Sequence, residues 1–151
     1  MDLAHELHDL VLTLDRQAEA LLQPDGLTYR RYVALVIIGE HPGMTGRDLA
    51  GALGVSEPAA SGIVRRLITD QLIQDSSGAG SGHVRRLELT PSGQELLARA
   101  SRRLGNTLDA TVREIGIDPA ELAETLHRIH QRILPASAAD SGPASAARRP
   151  S

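Results

Sequence analysis

The sequence predicts a mainly α-helical domain that carries one small β-hairpin. Three observations lead there. Apolar residues recur at helical spacing over most of the chain, as at Leu3, Leu7, Leu10, Val11, Leu14, Leu21 and Leu22. That pattern changes once, over residues 72–90, where two short segments flank the run SSGAGSG. Aromatic residues are 1% of the chain, Tyr29 and Tyr32 alone, so the core is built from Leu, Ile, Val and Ala. Leu and Ala are strong helix formers. The 151 residues suffice for one domain with a sizeable core.

The elements follow in order. Residues 3–22 form a helix that the turn residues QPDG at 23–26 stop. Residues 27–40 form a second helix, with Leu35, Ile37 and Ile38 buried, and HPG at 41–43 ends it. In TGRDLAGALGVSEPAASGIVRRL, residues 45–67, Thr45 and Asp48 have the spacing of a capping box. Leu49, Ala50 and Leu53 make the inner face of that short helix, and Gly54 ends it. Ser56 caps the next helix, Pro58 fits its first turn, and it ends near Asp70. LIQD at 72–75 and HVRRLELT at 83–90 are the hairpin strands, Leu87 and Leu89 sharing a face with Arg85. A hairpin this small must lie against the helices. Thr90 and Pro91 start one long helix whose stripe runs from Leu96 to Ile115, and GIDP at 116–119 breaks it. A last helix carries Leu122, Leu126, Ile129 and Ile133, and residues 135–151 are expected to be a disordered tail.

Composition removes several function classes. Without Cys there is no disulfide, thiolate nucleophile or thiol sensor. Two aromatics cannot build a base-stacking platform for single strands. The chain shows no G-x-S-x-G, Gly-rich phosphate loop or HExxH, so it is not expected to be an enzyme, and no cofactor is expected. The acidic, His-bearing start lacks a signal-peptide pattern, and the apolar run Val33 to Ile38 is too short for a bilayer, so a cytoplasmic protein without a membrane partner is expected. All 16 basic residues are Arg, and the formal net charge is −3. Any nucleic-acid contact must therefore use local clusters.

The order of elements is that of a winged helix-turn-helix flanked by further helices. LTYRRYVALVIIGEHPGMTGRDLAGALGVSEPAASGIVRRLITDQLI followed by LELTPSG resembles the MarR family of bacterial transcription regulators. The resemblance implies a single MarR-like domain over 1–134, with 27–90 as the winged helix-turn-helix and 1–26 and 91–134 as dimerisation helices. It implies a homodimer reading a pseudo-palindromic operator on double-stranded DNA; the chain is expected to be a repressor, released by a small ligand as many members are. The apolar stripes on residues 3–22, 96–115 and 122–133 suit such a dimer; a monomeric helical bundle is the other reading of the same periodicity.

In a helix-turn-helix the second helix leads into the major groove with its N-terminal residues. Here that end presents Ser56, Glu57, Pro58, Ser61, Arg65 and Arg66. Ser61 stands where the family places a base-contacting Ser or Thr. Arg65 suits a guanine edge or a phosphate, and Arg66 the DNA backbone, while solvated side chains are the plain alternative for both. Thr45 opens the helix that crosses the backbone, and its helix start suits a phosphate. The family's wing carries an Asp, one residue, then an Arg; the matching residues here are Ser81, Gly82 and His83. Arg85 and Arg86 supply nearby charge. If His83 takes the wing's role, DNA affinity rises as it protonates near pH ~6.5; an unchanged pH dependence in His83→Ala would sink that idea. Between Thr45 and Thr90 five Arg face five acids, Asp48, Glu57, Asp70, Asp75 and Glu88, which argues modestly against DNA.

Many family members bind a small aromatic, often anionic, effector. Arg16, Tyr29, Arg30 and Tyr32 are the candidates here, against the alternative that the tyrosines only pack on the first helix. His5 with His8 and His127 with His130 have ligand spacing for a metal-responsive regulator, although surface His is the commoner meaning and no metal site is assigned. A winged helix used for protein contact is a further alternative, and its mark would be an apolar outward face around Pro58 and Ala59.

Overall fold

The computed structural model describes residues 1–78 and 84–133. The expected tail at 135–151 and the wing residues Ser81, Gly82 and His83 lie outside them. The chain forms two compact units, one ending at Gly105 and the other starting at Asn106.

The first unit begins with α1 (Leu3–Leu22), capped by Asp2, whose carboxylate accepts from the Ala4 N–H at 3.1 Å. A 3-10 turn at Gln23–Asp25 ends on Gly26 at φ 67°, a left-handed value that suits Gly. Helix α2 is Tyr29–Glu40. It starts two residues later than the sequence predicts, because Thr28 Oγ1 accepts the Arg31 N–H and so fixes the cap there. Leu27, outside the helix, is still buried. Helix α3 is Gly46–Leu53 and α4 is Glu57–Thr69, joined by Gly54 at φ 64°. The expected Thr45–Asp48 capping box is complete on both sides.

Strands β1 (Ile73–Asp75) and β2 (Leu87–Leu89) pair antiparallel, with Ile73 opposite Leu89 and Asp75 opposite Leu87. The second strand is shorter than the eight-residue alternation suggests. Just before it, the Arg86 N–H goes to the Asp75 carboxylate at 3.0 Å. The free edge of β2 is stitched to the loop before α3: Leu87 N–H donates to Met44 O, and Gly43 N–H to Leu87 O, both at 2.9 Å. That bridge holds the base of the wing beside the start of α3. Helix α5 (Pro91–Leu104) closes the unit, capped by Thr90 as expected.

The core gathers Leu22, Leu35, Ile38, Leu49, Leu67, Ile73 and Leu87, all fully buried. Truncating one such Leu to Ala costs about 2–5 kcal/mol. No aromatic ring is needed, as the composition implies; Tyr29 and Tyr32 pack at its edge.

The single long helix expected over residues 91–115 is two helices. Gly105 at φ 61° and ψ −154° ends α5, and α6 (Thr107–Glu114) begins after Asn106. The apolar stripe runs through the break, so periodicity alone hides it; the Gly-Asn pair is the helix stop. In the second unit α6 is followed by Gly116 at φ 81° and by α7 (Pro119–Ile133). Asp118 starts α7 by accepting from the N–H groups of Ala120 and Glu121 at 2.8 and 3.1 Å. Val112 is buried, whereas Leu108, Ile115, Leu126, Ile129 and Ile133 are exposed. Among the described residues no helix is long and apolar enough to cross a membrane.

Candidate nucleic-acid interface

A groove of about 520 Å³ lies between the start of α3, the outward face of α4 and the base of the wing. Thr45, Glu57, Ser61, Arg65 and Arg85, all proposed from sequence, line it together. Glu57, Ser61 and Arg65 stand four residues apart, which puts them in one row along the helix. Ser56 and Pro58 are exposed at the tip of α4, where Ser56 Oγ accepts the Ala59 N–H at 3.2 Å.

Arg47, which the sequence reading missed, also lines the groove. Its Nε lies 3.3 Å from Glu57 Oε1, so the ion pair links the leading ends of α3 and α4. The ten-residue separation across a turn gives no periodic signal, and only the folded angle between the helices brings the two together.

Two of the predicted arginines also make contacts within the chain. Arg66 turns to the C-terminal end of α4, where its Nε sits 3.0 Å from Asp70 Oδ2. The same oxygen receives Arg31 Nη1 at 3.3 Å, and Arg31 also donates to Gly26 O at 2.9 Å. Arg86 Nη1 donates to Gly43 O at 3.3 Å, which reinforces the wing-to-α3 bridge. His83 lies outside the described residues.

The local charge balance resolves once directions are known. Asp48 accepts from both the backbone N–H and the hydroxyl of Thr45. Those bonds, the backbone one first, hold its carboxyl below the usual range. Asp70 is taken up by Arg31 and Arg66. Asp75 accepts from Ser77 Oγ, Ser77 N–H and Arg86 N–H, and these bonds, the Ser77 hydroxyl first, lower its pKa. The groove itself keeps three arginines, Arg47, Arg65 and Arg85, against the one carboxylate of Glu57.

The outward face of α4 is polar: Glu57, Ser61, Arg65, Arg66 and Thr69 are exposed, and no large hydrophobic residue on this helix is. Pro58 and Ala59 are the exposed apolar residues on this helix, both in its first turn. A second cleft, about 290 Å³, is lined by Asp15, Glu19, Tyr29, Arg30, Val33 and Leu53. Tyr29 and Arg30 are brought together there. Tyr32 stacks on Tyr29 with ring centroids 6.2 Å apart, and its hydroxyl meets Ser101 Oγ at 3.1 Å. Arg16 is exposed on α1 and does not line the cleft. Burial, then the Asp15 charge, pushes the Tyr29 phenol up. His5 pairs with Asp9 at 3.3 Å, and among the described residues no three His, Asp or Glu side chains gather as a metal-holding group.

Residues 27–82 match the family model of the MarR family. The winged helix of this chain is a MarR-family domain. MarR-family proteins are transcription regulators and not enzymes. No curated protein sequence matches the chain. Solved MarR-type structures do, at an identity that speaks for shared fold. A cysteine-to-serine variant of MarR from E. coli, complexed with operator DNA, is 20% identical with a TM-score of 0.73, over 88% of this chain and 94% of that one. The transcriptional regulator SlyA is 20% identical with a TM-score of 0.76, over 88% and 94%. A MarR-family protein of Mycobacterium tuberculosis, complexed with salicylic acid, is 21% identical with a TM-score of 0.65, over 87% and 96%.

Proposed function

We propose that the chain is a homodimeric, sequence-specific DNA-binding transcriptional repressor that a small-molecule effector releases from a pseudo-palindromic operator. The observation that carries this reading is the groove at α3, α4 and the wing, where Ser61, Arg65 and Arg85 converge with Thr45 and Arg47. A row of polar side chains on the second helix of a helix-turn-helix suits base edges in the major groove. The arginines beside it suit phosphates. The MarR relative bound to operator DNA shares the fold that positions these elements.

Exposed apolar side chains support the dimer. Leu3, Leu10, Val11 and Leu12 on α1 are open to solvent, and so are Leu108 on α6 and Leu126, Ile129 and Ile133 on α7. Exposed large apolar side chains, taken within either unit, suit an interaction site. A second copy would cover it, and a two-fold assembly matches two half-sites of a palindrome. For the effector, the cleft at Tyr29 and Arg30 offers an aromatic residue and one guanidinium, which suit a small aromatic ligand. The carboxylates of Asp15 and Glu19 beside them oppose a net negative charge, so any acid group must sit against Arg30. The Mycobacterium tuberculosis relative holds salicylic acid, a ligand of that class.

The test is selective enrichment of random duplex DNA by the purified protein at two salt concentrations. An inverted repeat with half-sites about one helical turn apart, weakening as salt rises, supports the reading. Failure to enrich any motif with protein refolded free of small molecules overturns it. Sedimentation of the same sample as a monomer overturns the dimer, and salicylic acid that leaves operator binding unchanged up to millimolar levels overturns that effector class.

A further inference from the structure

We propose that Glu57 is a specificity-determining residue that selects cytosine in the half-site, accepting a hydrogen bond from the N4 amino group in the major groove, with Arg47 as its positioning residue. The inference rests on the DNA-reading function proposed above and adds which base one named side chain recognises.

Glu57 is the first residue of α4, directly after the cap Ser56. In a helix-turn-helix this is the part of the second helix that reaches base edges. It also heads the row that Ser61 and Arg65 continue along the groove. A carboxylate there is unfavourable for binding a polyanion unless a base donates to it. Phosphate contact alone would be served better by any neutral residue. The major groove offers amino donors on cytosine and adenine only. On adenine the neighbouring N7 is an acceptor and repels the second carboxylate oxygen, whereas cytosine presents its amino group without an acceptor on the same base. Cytosine is therefore the better partner.

The geometry around the side chain fits a reading role. Arg47 Nε approaches Oε1 at 3.3 Å as an open ion pair. The pair sets a residue of α3 beside the carboxylate without enclosing it. Both side chains are mostly exposed, at 85% for Arg47 and 66% for Glu57, so the pair is open to DNA. A favourable helix dipole would explain an acid anywhere in the first turn of α4. It does not explain alignment with Ser61 and Arg65, or the tie to α3.

The experiment is random-duplex selection with wild type, Glu57→Gln, Glu57→Ala and Arg47→Ala, followed by titration of four duplexes that differ at the selected base pair. Wild type is expected to fix cytosine at one position in each half-site, with about tenfold or greater discrimination. Glu57→Gln should move the preference to adenine, which Gln pairs through N6 and N7. Glu57→Ala should flatten that position and leave the others intact. Arg47→Ala should keep cytosine but narrow the discrimination. An unmoved motif in both Glu57 variants overturns the inference and leaves the DNA-reading function standing. So does a uniform gain in affinity for every sequence, which would mean only that a repulsive charge was removed. No motif from wild type overturns the DNA-reading function itself, and this inference with it. Thermal melts of each variant confirm that these exposed substitutions leave the fold intact.

Discussion

A Cβ on Gly93 would stand 1.9 Å from the carbonyl oxygen of Leu72, a separation no side chain can occupy. The first turn of α5 thus lies directly on the chain that leads into β1. Thr90 locks the approach: its N–H donates to Leu72 O at 3.1 Å, its hydroxyl donates to Gln71 O at 2.6 Å, and the hydroxyl oxygen accepts the Gly93 N–H at 3.0 Å. Thr, Pro and Gly in TPSG each have a backbone reason to be where they are. Gly93→Ala must push α5 off the hairpin. The loss is expected to reach about 3 kcal/mol, the upper part of the usual range for overpacking. A urea midpoint for Gly93→Ala within error of wild type would refute this packing account.

Arg65 and Arg66 are neighbours in sequence with different surroundings. Arg65 lines the groove, whereas Arg66 is held at the far end of α4 by Asp70. Arg65→Ala should therefore weaken specific DNA binding by about five- to a hundredfold, the usual range for a base-contacting Arg. Arg66→Ala should cost DNA binding less. Its exposed pair with Asp70 contributes at most about 1 kcal/mol to folding. Anisotropy titrations on one operator duplex decide the order, and a larger loss for Arg66→Ala would reverse the assignment.

The helices and caps were legible because they are local. Asp48 three residues after Thr45, or Gly54 after Leu53, carries its structural meaning within one turn of chain. The groove was half legible for the same reason: once α4 is placed, Glu57, Ser61 and Arg65 must share a row. What stayed hidden depends on long-range approach. Arg47 meets Glu57 only through the angle between two helices. Asp25 meets Arg99 and Arg103, 74 and 78 residues away. Gly105 was visible as a residue, but the apolar stripe on either side masked its role as a stop.

Asp75 supports the wing from its base. Its Oδ1 accepts from Ser77 and from the Arg86 N–H, and Arg86 in turn reaches Gly43 while Arg85 lines the groove. Asp75→Ala removes this anchor without touching the core. DNA affinity is expected to fall several-fold while the melting temperature changes little. An unchanged affinity would show that the position of Arg85 does not depend on Asp75.

Asp25 fastens the turn after α1 to α5. Its side chain, only 5% exposed, takes Arg99 Nε at 2.9 Å and Arg103 Nε at 3.0 Å. The bond from Arg99 is the main influence holding the carboxyl below its ordinary range, opposed by burial and aided by Arg103. A carboxyl whose pKa is lower folded than unfolded stabilises the protein fully above the unfolded value, near pH ~4. That contribution fades as pH falls through the folded value. Asp25→Asn should therefore melt below wild type at pH 7, and the gap should close as pH drops below about 4. Melting temperatures of both proteins from pH 7 down to pH 3 measure it. A gap that persists undiminished at pH 3 would mean that the shape of the Asp25 site, and not its charge, joins the turn to α5.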